Sequence, residues 1–229
     1  MIKDLKLGIA LMRNGLAYDT AVGCFFLAVG IGVVLLLLLP LPIMSGLYIA
    51  ISVSGVVWQV YSTTISTMIQ SSPYKKKLRT TIPVYIALIM MLIGNTLCIV
   101  MHWLAYLRVK DNDSIFLIGM EFDSKTYANT ILICSILMVA FLLFVLVSNI
   151  FYKISVVILL GAWIWFRIFF ETVEFAFWDI SIGVAIVLSY IVVLIGCVVL
   201  YGLNCLLYKF EYSEASVRGQ IKRAAKQRD

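Results

Sequence analysis

From Thr20 to Tyr74 the chain runs for 55 residues without an Asp, Glu, Lys, Arg or His. A helix needs about 20 predominantly apolar residues to cross a bilayer. The run is therefore long enough for two crossings, and Pro40-Leu41-Pro42 marks a place for the turn between them. The pattern continues along the chain, which is 63% hydrophobic and 13% charged. Soluble domains carry about twice that share of charge. The chain thus reads as an all-α, polytopic membrane protein of one domain. No polar stretch is long enough to build a separate soluble core.

Apolar periodicity places six spans, at about 21–39, 43–69, 82–106, 127–150, 154–170 and 180–207. The transmembrane domain occupies 1–208, and a basic tail follows at 209–229. The first run is too long for a signal peptide, and Pro40 to Ile43 offers no small-x-small cleavage site, so it reads as retained. Ahead of it, Ile2, Leu5, Ile9, Met12 and Leu16 recur at helical spacing, with Lys3, Asp4, Lys6 and Arg13 off that stripe. Residues 1–17 suit an amphipathic helix in the membrane interface, either a simple anchor or an elbow that positions the first span.

Lys and Arg concentrate in loops on the cytoplasmic side. With the N-terminus inside, fourteen of the 18 cations fall inside, including Lys75, Lys76, Lys77, Arg79, Lys153 and the tail, and both termini are cytoplasmic. Arg108, Lys110, Lys125 and Arg167 fall outside, with seven acids. This asymmetry accounts for the net charge of +6 without a nucleic-acid partner. The cysteines, Cys24, Cys98, Cys134, Cys197 and Cys205, sit singly in apolar runs and read as small hydrophobes.

Three segments invite a functional reading. In span two, Gly46, Ala50, Ser54, Ser62 and Ser66 fall on one i+4 row, interrupted by Trp58. Small residues let membrane helices approach closely. Gln59, Thr63, Thr64, Thr67 and Gln70 add polar groups that should avoid lipid. The row suits a pathway or dimer contact, or equally packing within the chain. The loop Ser71 to Thr81 holds Lys75, Lys76, Lys77 and Arg79, with Ser72 suited to an N-cap and Pro73 to a first turn. A short basic helix before Pro83 would make a lever for an external motor, although a topology signal needs only the charges. Near the outer interface, Arg167, Glu171, Glu174 and Trp178 share one helical face within 163–178. That segment reads as a short re-entrant or interfacial helix, with interfacial snorkelling as the plainer account. The single histidine, His102, has no acidic or thiol cluster in its span that would make a metal site. Asn95 and Thr96 beside it suggest a polar contact between helices instead.

No GxxxxGK[ST], HExxH or GxSxG motif occurs, so the sequence names no catalytic group and no metal.

The layout resembles permease subunits of the ABC-2 type, the exporter-like ABC transporters of bacteria. The likeness covers the whole chain as a plan, and it is more local at Ser72, Pro73, Tyr74, Lys75, Lys76, Lys77, Leu78 and Arg79. In that family, the corresponding loop forms a coupling helix on the ATPase, and short re-entrant helices lie between spans five and six. The resemblance implies a bacterial cytoplasmic membrane and a second permease subunit, identical or sibling. It also implies a separate ATPase that binds ATP and Mg, with no cofactor in this chain and no enzymatic activity of its own. The cargo would be a peptide, lipid or drug-like molecule, and span two would line or border the subunit interface. Three other readings compete: a six-span substrate-binding component of an importer, an integral-membrane lipid enzyme using Arg167, Glu171 and Glu174, and an accessory or immunity protein.

Overall fold

The computed structural model describes residues 6–7, 9–10, 13, 18–37, 42–65, 67–111, 124–158, 160–161, 178–213, 217–218 and 221. Among these residues every regular element is helical. In chain order the helices are α1 (Tyr18–Leu37), α2 (Pro42–Thr63), α3 (Thr67–Gln70), α4 (Lys75–Asp111), α5 (Ser124–Ile150) and α6 (Ile182–Leu207). Residues 152–158 are also helical.

Among the described residues four helices are long and apolar enough to cross a membrane, over Met44–Thr63, Lys75–Leu107, Ser124–Ile150 and Ile182–Leu207. A shorter apolar stretch, Val22–Val34, forms the middle of α1. This is the architecture of a membrane protein. The helices are apolar around much of their circumference, so burial is decided by which side meets a neighbour. α2 packs against α1, α4 and α5, and α6 packs against α4 and α5. Ile49, Val53, Met91, Met138, Leu142, Val193 and Leu200 make the shared core. Val187, Leu194, Ile195, Val198 and Leu206 face outward from α6, as lipid-facing residues do.

Two boundaries differ from the sequence expectation. The second span, expected over 43–69, stops being a continuous helix at Thr63. There the Thr63 and Thr64 hydroxyls donate to the carbonyls of Val60 and Tyr61, each at 2.7 Å, and compete with the backbone ladder. The Thr64 amide is shared between Val60 and Tyr61, a tightened last turn. Gln70 then donates to the Thr64 carbonyl at 2.6 Å, satisfying an acceptor that the helix end leaves open.

The second difference is the basic loop. It does not make a short helix ending at Pro83, because α4 runs unbroken for 37 residues with Pro83 inside it. At 1.5 Å per residue that is about 55 Å, well beyond a hydrocarbon core of about 30 Å. Pro83 has no amide hydrogen, so the carbonyl four residues earlier, that of Arg79, has no helical partner. The N-cap also moves. Tyr74 accepts from the Leu78 amide, while Ser72 stands in the preceding turn, its hydroxyl accepting from the Tyr74 amide at 3.2 Å.

Of the fifth expected span, 154–158 and 160–161 are helical and the remainder lies outside the described residues. So does most of the N-terminal 1–17 segment, where residues 6, 7, 9, 10 and 13 are helical and exposed.

Candidate functional site

The basic loop divides into a solvent side and a buried side. Tyr74 is 67% exposed, and Pro73, Lys76 and Lys77 are exposed with it. Lys75 and Ser72 are intermediate. Leu78, Arg79 and Thr80 turn inward as the first turns of α4 meet the bundle. This follows from the spacing, since residues three and four apart share a helix face and Ile82 continues the buried stripe.

Arg79 is the centre of the buried side, at 7% exposure. One terminal nitrogen donates to the Phe210 carbonyl at 2.9 Å. Its guanidinium carbon lies 4.2 Å from the Tyr212 ring centroid and 5.4 Å from that of Tyr208. A guanidinium is weakly hydrated and stacks well on aromatic faces, so these partners tolerate its withdrawal from water where an ammonium would fit poorly. No carboxylate among the described residues pairs with it.

Around this centre the helix ends are joined by polar bonds. The Thr64 hydroxyl donates to Tyr61, so its oxygen is free to accept from the Tyr212 hydroxyl at 2.6 Å. Asn204 of α6 donates to the Tyr61 hydroxyl of α2 at 2.7 Å and to its own Leu200 carbonyl at 2.9 Å. The Ser213 amide donates to the Asn149 carbonyl at 3.1 Å. Tyr61, Arg79, Asn149, Asn204, Tyr208 and Tyr212 line a cleft with room for about one water-sized group. Burial pushes the Tyr212 phenol above its ordinary range, against the Thr64 hydrogen bond and the Arg79 charge, which both lower it.

The small-residue row of α2 faces into the chain. Gly46, Ala50, Ser54, Gln59 and Ser62 are buried; Ser66 lies outside the described residues. A Cβ on Gly46 would stand 3.2 Å from that of Cys134 in α5. The close approach lets the Cys134 thiol reach the Gly46 carbonyl at 3.3 Å. Ser54 and Ser62 return their hydroxyls to their own helix, to Ile51 and Gln59. The amide nitrogen of Gln59 is buried without a hydrogen-bond partner, as are the Ser45 hydroxyl and the Asn95 side-chain oxygen.

At mid-depth the polar contacts expected near His102 join α4 to α6. Asn95 donates to the Ser189 hydroxyl at 3.0 Å, and the Thr96 and Tyr190 hydroxyls pair at 2.9 Å. His102 itself donates from Nδ1 to the Cys98 carbonyl of its own helix at 2.7 Å and meets the Tyr127 ring edge-on. Among the described residues no group of His, Cys, Asp and Glu is placed to hold a metal.

At the end remote from the basic loop, Lys125 pairs with Asp179 at 2.9 Å, and Asn129 exchanges two hydrogen bonds with the Trp178 backbone. Arg167, Glu171 and Glu174 lie outside the described residues.

Sequence reading placed Arg79 among four cations of a loop and missed its burial. The expected basic tail, 209–229, gives no hint that Phe210 and Tyr212 pack on Phe151 and Arg79. Three aromatics within five residues, Tyr208, Phe210 and Tyr212, were the available signal, because such side chains favour burial over a solvated tail.

The chain matches no protein-family model, no curated protein and no solved structure.

Proposed function

We propose that this chain is the membrane-spanning subunit of an ATP-driven transporter, driven by a separate ATPase that docks on the loop 71–81. In this reading six spans cross a bacterial cytoplasmic membrane with both termini inside. The chain works beside a second permease subunit and exports a peptide, lipid or drug-like cargo. ATP and Mg belong to the ATPase.

The observation that carries the proposal is the position of the exposed basic turn. Tyr74, Lys76 and Lys77 stand at the start of α4, the longest helix among the described residues, which packs on α2, α5 and α6. A force applied there reaches the bundle through the first turns of α4, whose Leu78, Arg79 and Thr80 are already buried against it. Small shifts at such a point become discrete changes because packed interfaces switch rather than deform.

The test is capture of the chain from native membranes in mild detergent, followed by mass spectrometry. Co-purification of an ATPase bearing a P-loop is the expected result. A chain that comes down alone, carrying a small molecule, would replace this proposal with the importer-component reading. Reversing Lys75, Lys76 and Lys77 to Glu is expected to uncouple transport or invert the topology. Unchanged transport with normal topology would remove the loop from the coupling role.

A further inference from the structure

The residues just after α6 lie across the ends of the other helices. Phe210 accepts from Arg79 at the start of α4. Tyr212 bonds Thr64 at the end of α2, and Ser213 bonds Asn149 near the end of α5. The Phe210 ring meets the Phe151 ring edge-on at 5.5 Å between centroids. One six-residue segment thus ties together the ends of α2, α4 and α5, and its own chain continues α6.

This joint is built to be reversible. Its bonds are few, polar and made to a segment outside the helical ladder. Such segments open at lower free energy than packed helix interiors. The pin, Arg79, sits four residues from Lys75 and three from Lys76, about one helical turn from the exposed loop. Pro83 removes the helical bond that would otherwise anchor the Arg79 carbonyl to the next turn. The first turns of α4 can therefore tilt at smaller cost than a fully bonded helix, and tilting them draws the guanidinium away from its rings.

We propose that residues 208–213 are a latch, pinned by Arg79 between Tyr208 and Tyr212, that holds the neighbouring ends of α2, α4, α5 and α6 together over the small cleft, and that movement of the 71–81 loop releases it. The inference rests on the transporter reading only for the source of that movement. The latch makes Arg79 a positioning residue, and it gives the loop a target that is not the cargo path itself.

Hydrogen exchange of the full chain in detergent micelles, read peptide by peptide, tests the latch with no ATPase present. In Arg79→Gln, exchange across 208–213 is expected to rise about tenfold or more while peptides from 127–146 exchange as in the native chain. Arg79→Lys is expected to fall between the two, since it keeps the charge and loses the planar fork. Tyr212→Phe and Thr64→Val each delete one hydroxyl and are expected to give smaller, non-additive increases. Unchanged exchange across 208–213 in Arg79→Gln would overturn the latch. So would an increase spread equally over 127–146, which would make Arg79 a general stabiliser. If Arg79→Gln does not accumulate, the two hydroxyl deletions decide, and native exchange in both overturns the proposal. A failed latch leaves the ATPase capture untouched, and a missing ATPase leaves this exchange result standing.

Discussion

The middle of the bundle and its basic end are held together by different means. At mid-depth the helices touch through small residues. A Cβ on Gly94 would fall 2.4 Å from Val53 Cγ2 of α2, and one on Gly196 would fall 2.4 Å from Val139 Cγ2 of α5. Neither of these two contacts has room for a methyl group. At the basic end the same helices are joined by a stacked guanidinium, two tyrosine hydroxyls and a handful of amides around a cleft. Lipid provides no hydrophobic drive between helices, so close packing is what fixes the middle. At the basic end the joined groups are polar, and each buried one relies on a hydrogen-bond or ring partner from another segment. The contrast assigns rigidity to the middle and change of state to the end.

The largest test of this contrast is Gly94→Ala. Overpacking a well-fitted contact costs about 1–3 kcal/mol, against about 1 kcal/mol gained from replacing a helical glycine. A net loss of stability is expected in denaturant unfolding in micelles, restored by adding Val53→Ala, which removes the clashing methyls. Gly55→Ala is the control. Nothing lies within 4 Å of the added carbon, and a neutral or stabilising result is expected. If Gly94→Ala behaves like Gly55→Ala, the middle is not tightly packed and the comparison fails.

A second test sharpens the polar side. Asn204→Leu removes the donor to the Tyr61 hydroxyl inside the cleft. Interhelical hydrogen bonds in membrane proteins average about 0.6 kcal/mol, and a coupling of that order is expected in a double-mutant cycle with Tyr61→Phe. The same cycle between Asn95→Ala and Ser189→Ala at mid-depth should give a similar or smaller value, because packing already fixes that contact. A coupling at mid-depth several times larger would move the polar weight to the middle.

The smallest effect belongs to Lys125→Ala. Its pair with Asp179 has side chains 46% and 85% exposed, so solvent screens it. A change within about 0.5 kcal/mol, shrinking further in high salt, is expected from unfolding curves at two ionic strengths.

Much of this contrast was legible in the sequence, and the part that was not has a physical cause. The uncharged run and the later apolar segments gave α1, α2, α4, α5 and α6 to within a few residues at most ends. At Gly46 α2 comes close to α5, since a Cβ there would stand 3.2 Å from that of Cys134. Pro83 misled, because a proline nine residues into a long helix removes one bond and need not end it. Span two was drawn too long, since hydropathy does not register threonine hydroxyls turning back on their own carbonyls. The Arg79 site was hidden for a different reason. Its parts come from positions 61, 64, 79, 149, 204, 208 and 212, and no local spacing connects them. A positively charged loop explains Arg79 well enough by topology alone, so nothing in the sequence asked for a buried role.

Docking of an ATPase on the exposed basic turn is the central proposal for this chain. The direct measurement is quantitative capture from native membranes of three forms: the native chain, Lys76→Glu with Lys77→Glu, and Lys153→Glu. Lys153 is also exposed and, by the charge bias, on the same side of the membrane, so it controls for charge itself. An ATPase bearing a P-loop is expected with the native chain and with Lys153→Glu, and its loss is expected with the doubly reversed loop in correctly inserted protein. An ATPase retained equally by all three forms, or found with none, would contradict that proposal.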